Sequence, residues 1–121
     1  MSYVDGFLIP IPTKNIAAYR RLATLASKVW LDHGALEYRE CVGDDLACPN
    51  MVPFPKTVGT KKGETVVFAW IVFKSRAHRD RVNAAVMKDP RIAKMVKAMQ
   101  DKPPFDCARM CYGGFKVLVE A

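Results

Sequence analysis

An unbroken apolar run, Val66-Val67-Phe68-Ala69-Trp70-Ile71-Val72-Phe73, constrains this chain more than any other feature. It is rich in β-branched and aromatic residues, and it predicts a strand over 64–74. Successive strand residues point to opposite faces. Val66, Phe68, Trp70 and Val72 therefore share one face, and Val67, Ala69, Ile71 and Phe73 share the other. A strand apolar on both sides belongs inside a sheet that is covered on both sides.

The remaining elements fall around that strand. Residues 3–10 read as a first strand ending at Pro10 and Pro12. Thr13 is placed to cap a first helix, in which Tyr19, Leu22, Ala26, Val29 and His33 follow one helical face, with Ile16, Ala23 and Trp30 beside them. Gly34 is a natural helix stop. A second strand spans about Ala35 to Gly43, with Tyr38 and Glu40 on one face and Glu37, Arg39 and Cys41 on the other. The connection 44–63 is long for a hairpin loop and points to a binding loop, a lid or a small helix opened by Pro55. Ser75 caps a second helix whose inner stripe is His78, Val82, Ala85 and Val86, and Pro90 ends it. Ile92, Met95, Val96 and Met99 add a short amphipathic turn or two. The last strand is expected over Ala108 to Val119, where Gly113-Gly114 suggests a bulge or a close backbone approach.

The order β-α-β-β-α-β is the split, ferredoxin-like pattern, an α+β fold with an antiparallel sheet. All 121 residues make one domain. In this pattern the third strand lies between the first and second, as its apolar run requires. Both helices cover one sheet face. The other face is then apolar and naked, more than a monomer usually exposes. A second copy packed sheet to sheet covers it, which gives a homodimeric α/β barrel with a cavity between the sheets.

Several blocks carry a resemblance. They include Val4-Asp5-Gly6-Phe7, His33-Gly34-Ala35-Leu36-Glu37-Tyr38, Cys41-Val42-Gly43-Asp44-Asp45, Arg79-Asp80-Arg81-Val82-Asn83, Asp89-Pro90-Arg91, and Pro104-Phe105-Asp106 with Tyr112-Gly113-Gly114-Phe115. Together they resemble the bacterial domain-of-unknown-function 1428 (YbaA-like) family. The resemblance implies a ferredoxin-like fold of the dimeric α/β-barrel superfamily. It supplies no activity and no catalytic residue. Superfamily members include cofactor-free monooxygenases, haem-degrading enzymes and small isomerising enzymes, but their motifs do not map onto this chain.

Composition narrows the class. Half the residues are apolar and 26% are charged, which excludes a disordered chain or a coiled-coil rod. No apolar run suits a membrane helix, and residues 1–5 lack a signal-peptide pattern, so a cytoplasmic protein without membrane contact is expected. The net charge is +7, from 19 basic and 12 acidic residues. Nearly all the excess lies in 74–102, where the basic residues alternate with an apolar stripe. A solvated helix face explains them better than a nucleic-acid site, which would be weak if it exists. The four cysteines show no metal-knuckle spacing, so they are read as reduced, buried thiols, with no metal and no cofactor expected.

Polar residues on strands are the remaining candidates. Asp5, Tyr38, Glu40, Arg109 and Tyr112 would give an apolar cavity a few convergent polar groups, as a small-molecule site needs. A carboxylate there would have a raised pKa and could act as a base. They could instead pair with one another, as Arg109 would with a carboxylate, or face solvent. His33 is either a group at the cavity rim or a histidine packed at a helix C-terminus. Trp30 and Trp70 serve as pocket walls or as core. The pocket candidates are thus Asp5, His33, Tyr38, Glu40, Trp70, Arg109 and Tyr112. The expected function is a homodimer binding a small apolar or aromatic molecule, with a non-catalytic protein-interaction module as the alternative.

Overall fold

A computed structural model describes all residues, Met1–Ala121. The order is β1 (Tyr3–Pro12), a 3-10 turn (Thr13–Asn15), α1 (Ile16–Asp32), β2 (Glu37–Val42), α2 (Phe54–Val58) and β3 (Glu64–Phe73). Then follow α3 (Arg76–Met87), α4 (Pro90–Asp101), a second 3-10 turn (Cys107–Arg109) and β4 (Cys111–Lys116). The sheet is antiparallel throughout, in the order β2-β3-β1-β4. The α+β, ferredoxin-like reading therefore holds, and β3 lies between β1 and β2. No helix is long and apolar enough to cross a membrane.

Register decides which side chains meet. Tyr38, Ile71 and Asp5 form one cross-strand row, and Glu40, Ala69, Phe7 and Tyr112 form the next. These rows lie on the face that α1, α3 and α4 cover. Val29, Val82, Val86 and Ile92 from the helices are buried against Ile71, Phe73 and Tyr3 from the strands. A second buried group joins Ile9, Ile11, Val67 and Ala69 to Phe105. The opposite face carries Phe68, Trp70 and Phe115, which no helix of the main layer covers. There α2 sets Phe54 edge-on to Phe68 at 6.0 Å, and Phe68 meets Trp70 at 5.4 Å.

Local chemistry explains the element ends. Gly34 has φ +111°, and the amide of Ala35 bonds back to the Trp30 carbonyl at 3.0 Å, closing α1. Ser75 caps α3, its hydroxyl accepting from the His78 amide at 3.1 Å. Thr13 caps nothing with its side chain: a 3-10 turn precedes α1, and Asn15 instead donates to the Pro104 carbonyl at 2.8 Å.

Several expectations need correction. β1 continues through Pro10 and Pro12. The Thr13 amide bonds to the Gly63 carbonyl on the β3 side, so the backbone groups of even-numbered residues point the other way. β4 has already ended there, opposite Leu8, and a missing N–H leaves no ladder bond unmade. Pro90 does not merely end α3; it opens the twelve-residue α4, with Asp89 as the cap accepting from the Arg91 amide at 2.8 Å. The last strand is shorter than expected, because residues 107–109 form a 3-10 turn and pairing stops at Lys116. β4 also pairs without a bulge, so the glycines mark a close approach. All four cysteines are exposed rather than buried, since Cys41 and Cys111 lie on edge strands and Cys48 and Cys107 in connections.

Candidate functional site

A cavity of about 500 Å³ lies between the helices and the sheet of a single chain. The cavity expected from the sequence lay between two sheets; this one is on the opposite side of the sheet. Phe7, Ile9, Ala69 and Ile71 form its floor. Leu22, Ala23, Ala26 and Trp30 come from α1, Met87 from α3, and Met95 and Met99 from α4; Phe105 and Met110 close one side. Small residues in α1 leave the room, and the unbranched methionines give the wall a shape that can adapt. Met87, Cys107 and Tyr112 are the exposed lining residues, so the cavity reaches solvent beside them.

Two polar clusters interrupt this apolar lining. The first stands at β2. Glu40 accepts from the Tyr38 hydroxyl at 2.7 Å and, on its other oxygen, from the Tyr19 hydroxyl. Burial first, then the neighbouring Glu40 carboxylate, push both phenols far above the usual tyrosine range. They remain protonated donors to Glu40. No basic side chain lies within ion-pair distance of Glu40.

The second cluster stands at β1 and β4. Asp5 is 1% exposed. It accepts from Arg79 at 2.7 Å and from the Asn83 amide at 3.3 Å. Arg79 also donates to the Tyr112 hydroxyl at 3.0 Å and lies over the Tyr3 ring, 4.9 Å from its centroid. Trp30 donates to the Asn83 carbonyl oxygen at 3.0 Å. Desolvation opposes the Arg79 charge, but its bonds to Asp80 and Asp5 outweigh that and hold its pKa above the usual arginine value. The Tyr112 phenol is raised by burial and then by nearby Asp5.

Of the seven candidates, the structure brings Asp5, Tyr38, Glu40 and Tyr112 to this cavity. Trp70 points to the other sheet face and donates to Glu37 at 2.9 Å. Arg109 lies in the 3-10 turn before β4 rather than in the strand. It grips Glu64 through two nitrogens, each at 2.8 Å, and the Gly59 carbonyl at 2.9 Å, holding the end of the long connection. His33 meets Asp89 at 2.8 Å, joining the end of α1 to the start of α4. His78 accepts from the Lys74 amide through Nδ1, and burial, Lys74 and Arg81 lower its pKa, so its ring is neutral.

Sequence reasoning misses Tyr19, Arg79 and Asn83 as site residues. Tyr19 shares an apolar stripe and so reads as core. Arg79 sits in a basic run and so reads as solvent-facing, yet its side chain is only 13% exposed. Arg79, Asn83 and Met87 recur at four-residue intervals, and that spacing is the available signal. No group of three or more His, Cys, Asp or Glu is placed to hold a metal ion.

The sheet order and the helix-covered cavity define an α+β protein of the ferredoxin-like kind, and solved structures share the frame. A Nitrosomonas europaea protein, provisionally assigned as an antibiotic biosynthesis monooxygenase, superposes with TM-score 0.63 at 12% identity, over 97% of this chain and 90% of that one. SnoaB of Streptomyces nogalater, a cofactor-independent oxygenase whose structure is that of a mutant, gives 0.55 at 12% identity, over 98% and 95%. At these identities the likeness concerns the fold. The family model described as "Protein of unknown function (DUF1428)" matches residues 2–107, and the chain belongs to that family. The Escherichia coli (strain K12) protein YbaA, itself described as uncharacterized, is 37% identical over 120 residues, 99% of each chain.

Proposed function

We propose that this protein is a homodimer in which each chain binds an apolar, ring-sized small molecule between its helices and its sheet. The cavity carries the proposal. Seventeen of its twenty lining residues are hydrophobic, and the polar ones are gathered into two organised clusters. Its volume is within the range of small-molecule pockets. Fold relatives named as oxygenases agree with a small-molecule role and supply no reaction for this chain. The dimer reading rests on the other sheet face, where Phe68 and Phe115 are 44% and 61% exposed.

Naphthalene is a suitable probe, because Trp30 lines the cavity and reports on it by fluorescence. In a Trp70→Phe background, naphthalene should shift Trp30 emission saturably. Ala69→Phe fills the floor and should abolish the shift while thermal unfolding stays cooperative. No shift in the parent, or an equal shift in Ala69→Phe, overturns the proposal.

A further inference from the structure

The two polar clusters differ in what they offer a ligand, and the sheet fixes how far apart they stand. Glu40 and Tyr112 occupy opposite edge strands in one cross-strand row, with Ala69 and Phe7 between them. Three strand intervals of about 4.8 Å put their backbones roughly 14 Å apart. At the Glu40 edge the phenolic protons of Tyr19 and Tyr38 are both given to the carboxylate. That edge has lone pairs to offer and no proton. It also carries a negative charge that no cation within ion-pair distance balances. At the Tyr112 edge the Tyr112 oxygen accepts from Arg79, and one Asn83 amide proton goes to Asp5. The second Asn83 amide proton is left to donate, and the Tyr112 hydroxyl, whose proton is drawn toward Asp5, can rotate to give it to a ligand instead. Asp5 has its charge balanced by Arg79, as Glu40 does not, so it is the weaker acceptor of the two carboxylates.

We propose that the cavity selects an elongated apolar ring compound carrying a hydroxyl at one end and a carbonyl at the other. The hydroxyl donates to Glu40, and the carbonyl accepts from Tyr112 and Asn83. Ala69 and Phe7 receive the flat ring body between them, and Ala69 supplies the clearance. This rests on the cavity reading above and goes further by giving the ligand a polarity and a direction. A bond from a ligand hydroxyl to a charged carboxylate in an apolar site is stronger than a neutral one. The Glu40 edge should therefore discriminate more sharply than the Tyr112 edge.

The test uses four probes: naphthalene, naphthol, a hydroxynaphthyl methyl ketone with its two groups at opposite ends, and the methyl ether of that ketone. Affinity is read by fluorescence titration of the full chain. The hydroxy ketone should bind about tenfold or more tighter than its methyl ether, and severalfold tighter than naphthol. Glu40→Gln should remove the preference for hydroxyl over ether. Tyr112→Phe should reduce the preference for ketone over naphthol. Naphthalene affinity is measured in each variant as the baseline for its preferences, so a change of cavity shape common to all four probes cancels. If naphthalene binds but the four probes rank by size alone, the polarity proposal falls and the cavity reading stands. If no probe binds the parent protein, both fall.

Discussion

Gly114 stands opposite Asp5 in the sheet, and a β-carbon there would lie 2.8 Å from Tyr3 Cε2 and 2.9 Å from Arg79 Nη1. Those distances are too short, so alanine at this position must displace the tyrosine or the arginine. Displacing Arg79 leaves Asp5 buried without its cation. Breaking a buried pair by removing one partner costs about 3–5 kcal/mol, and Arg79 keeps slight solvent contact, so the lower end applies. Arg79→Met should lower unfolding stability by about 3 kcal/mol in urea, and Gly114→Ala by less, because it shifts the guanidinium rather than removing it. They act on the same contact, so the double variant should lose clearly less than the sum. Additive losses would show that Gly114 acts through something other than Arg79. Asp5 stands out in the sequence as a carboxylate inside an apolar strand. Arg79 does not, because a buried arginine within a basic run differs from its neighbours only by facing its partner, and the partner comes from β1.

At the scale of elements, the Arg109–Glu64 pair ties the turn before β4 to the start of β3 and to the end of the long connection. The Arg109 guanidinium, with help from the Lys61 amide, holds the Glu64 carboxyl down to about 2, below the ordinary carboxylate range. A depressed carboxylate stabilises the fold fully above its unfolded pKa, and loses that contribution as pH falls toward its folded value. The window therefore runs from about pH 4.5 down to about pH 2. Arg109→Met should flatten that part of the stability–pH curve, read from urea midpoints in steps of pH. A curve as steep as the parent's would remove Glu64 as its source. The elements themselves are largely legible in the sequence. Alternation, Gly34 and Ser75 mark their ends by local chemistry. The side of the sheet that the helices take is not legible, because β3 is apolar on both faces. That ambiguity groups Trp70 with Tyr38 and Glu40 in the sequence, although it belongs to the other face. It also places the expected cavity between two sheets.

For the whole molecule, the open sheet face is the main unmet demand. Phe115 spreads its ring over Gly6 and Gly113, within 3.3 and 3.5 Å of where their β-carbons would be, which flattens that surface. Phe54 on α2 covers only one corner. A second copy placed here would hide Phe68, Trp70 and Phe115 together. Light scattering should then give twice the chain mass at micromolar concentration, and Phe68→Lys with Phe115→Glu should give a folded monomer. A monomeric parent protein would refute the dimer and leave the cavity untouched, since the two occupy opposite faces of the sheet.

Pro10 and Pro12 bear on this assembly. Past Leu8 the margin of β1 has no neighbouring strand, and at those two positions it has no amide hydrogen to give. A strand from a stray chain could not complete a ladder along it. The prolines thus guard that stretch of β1 against pairing with a stray strand.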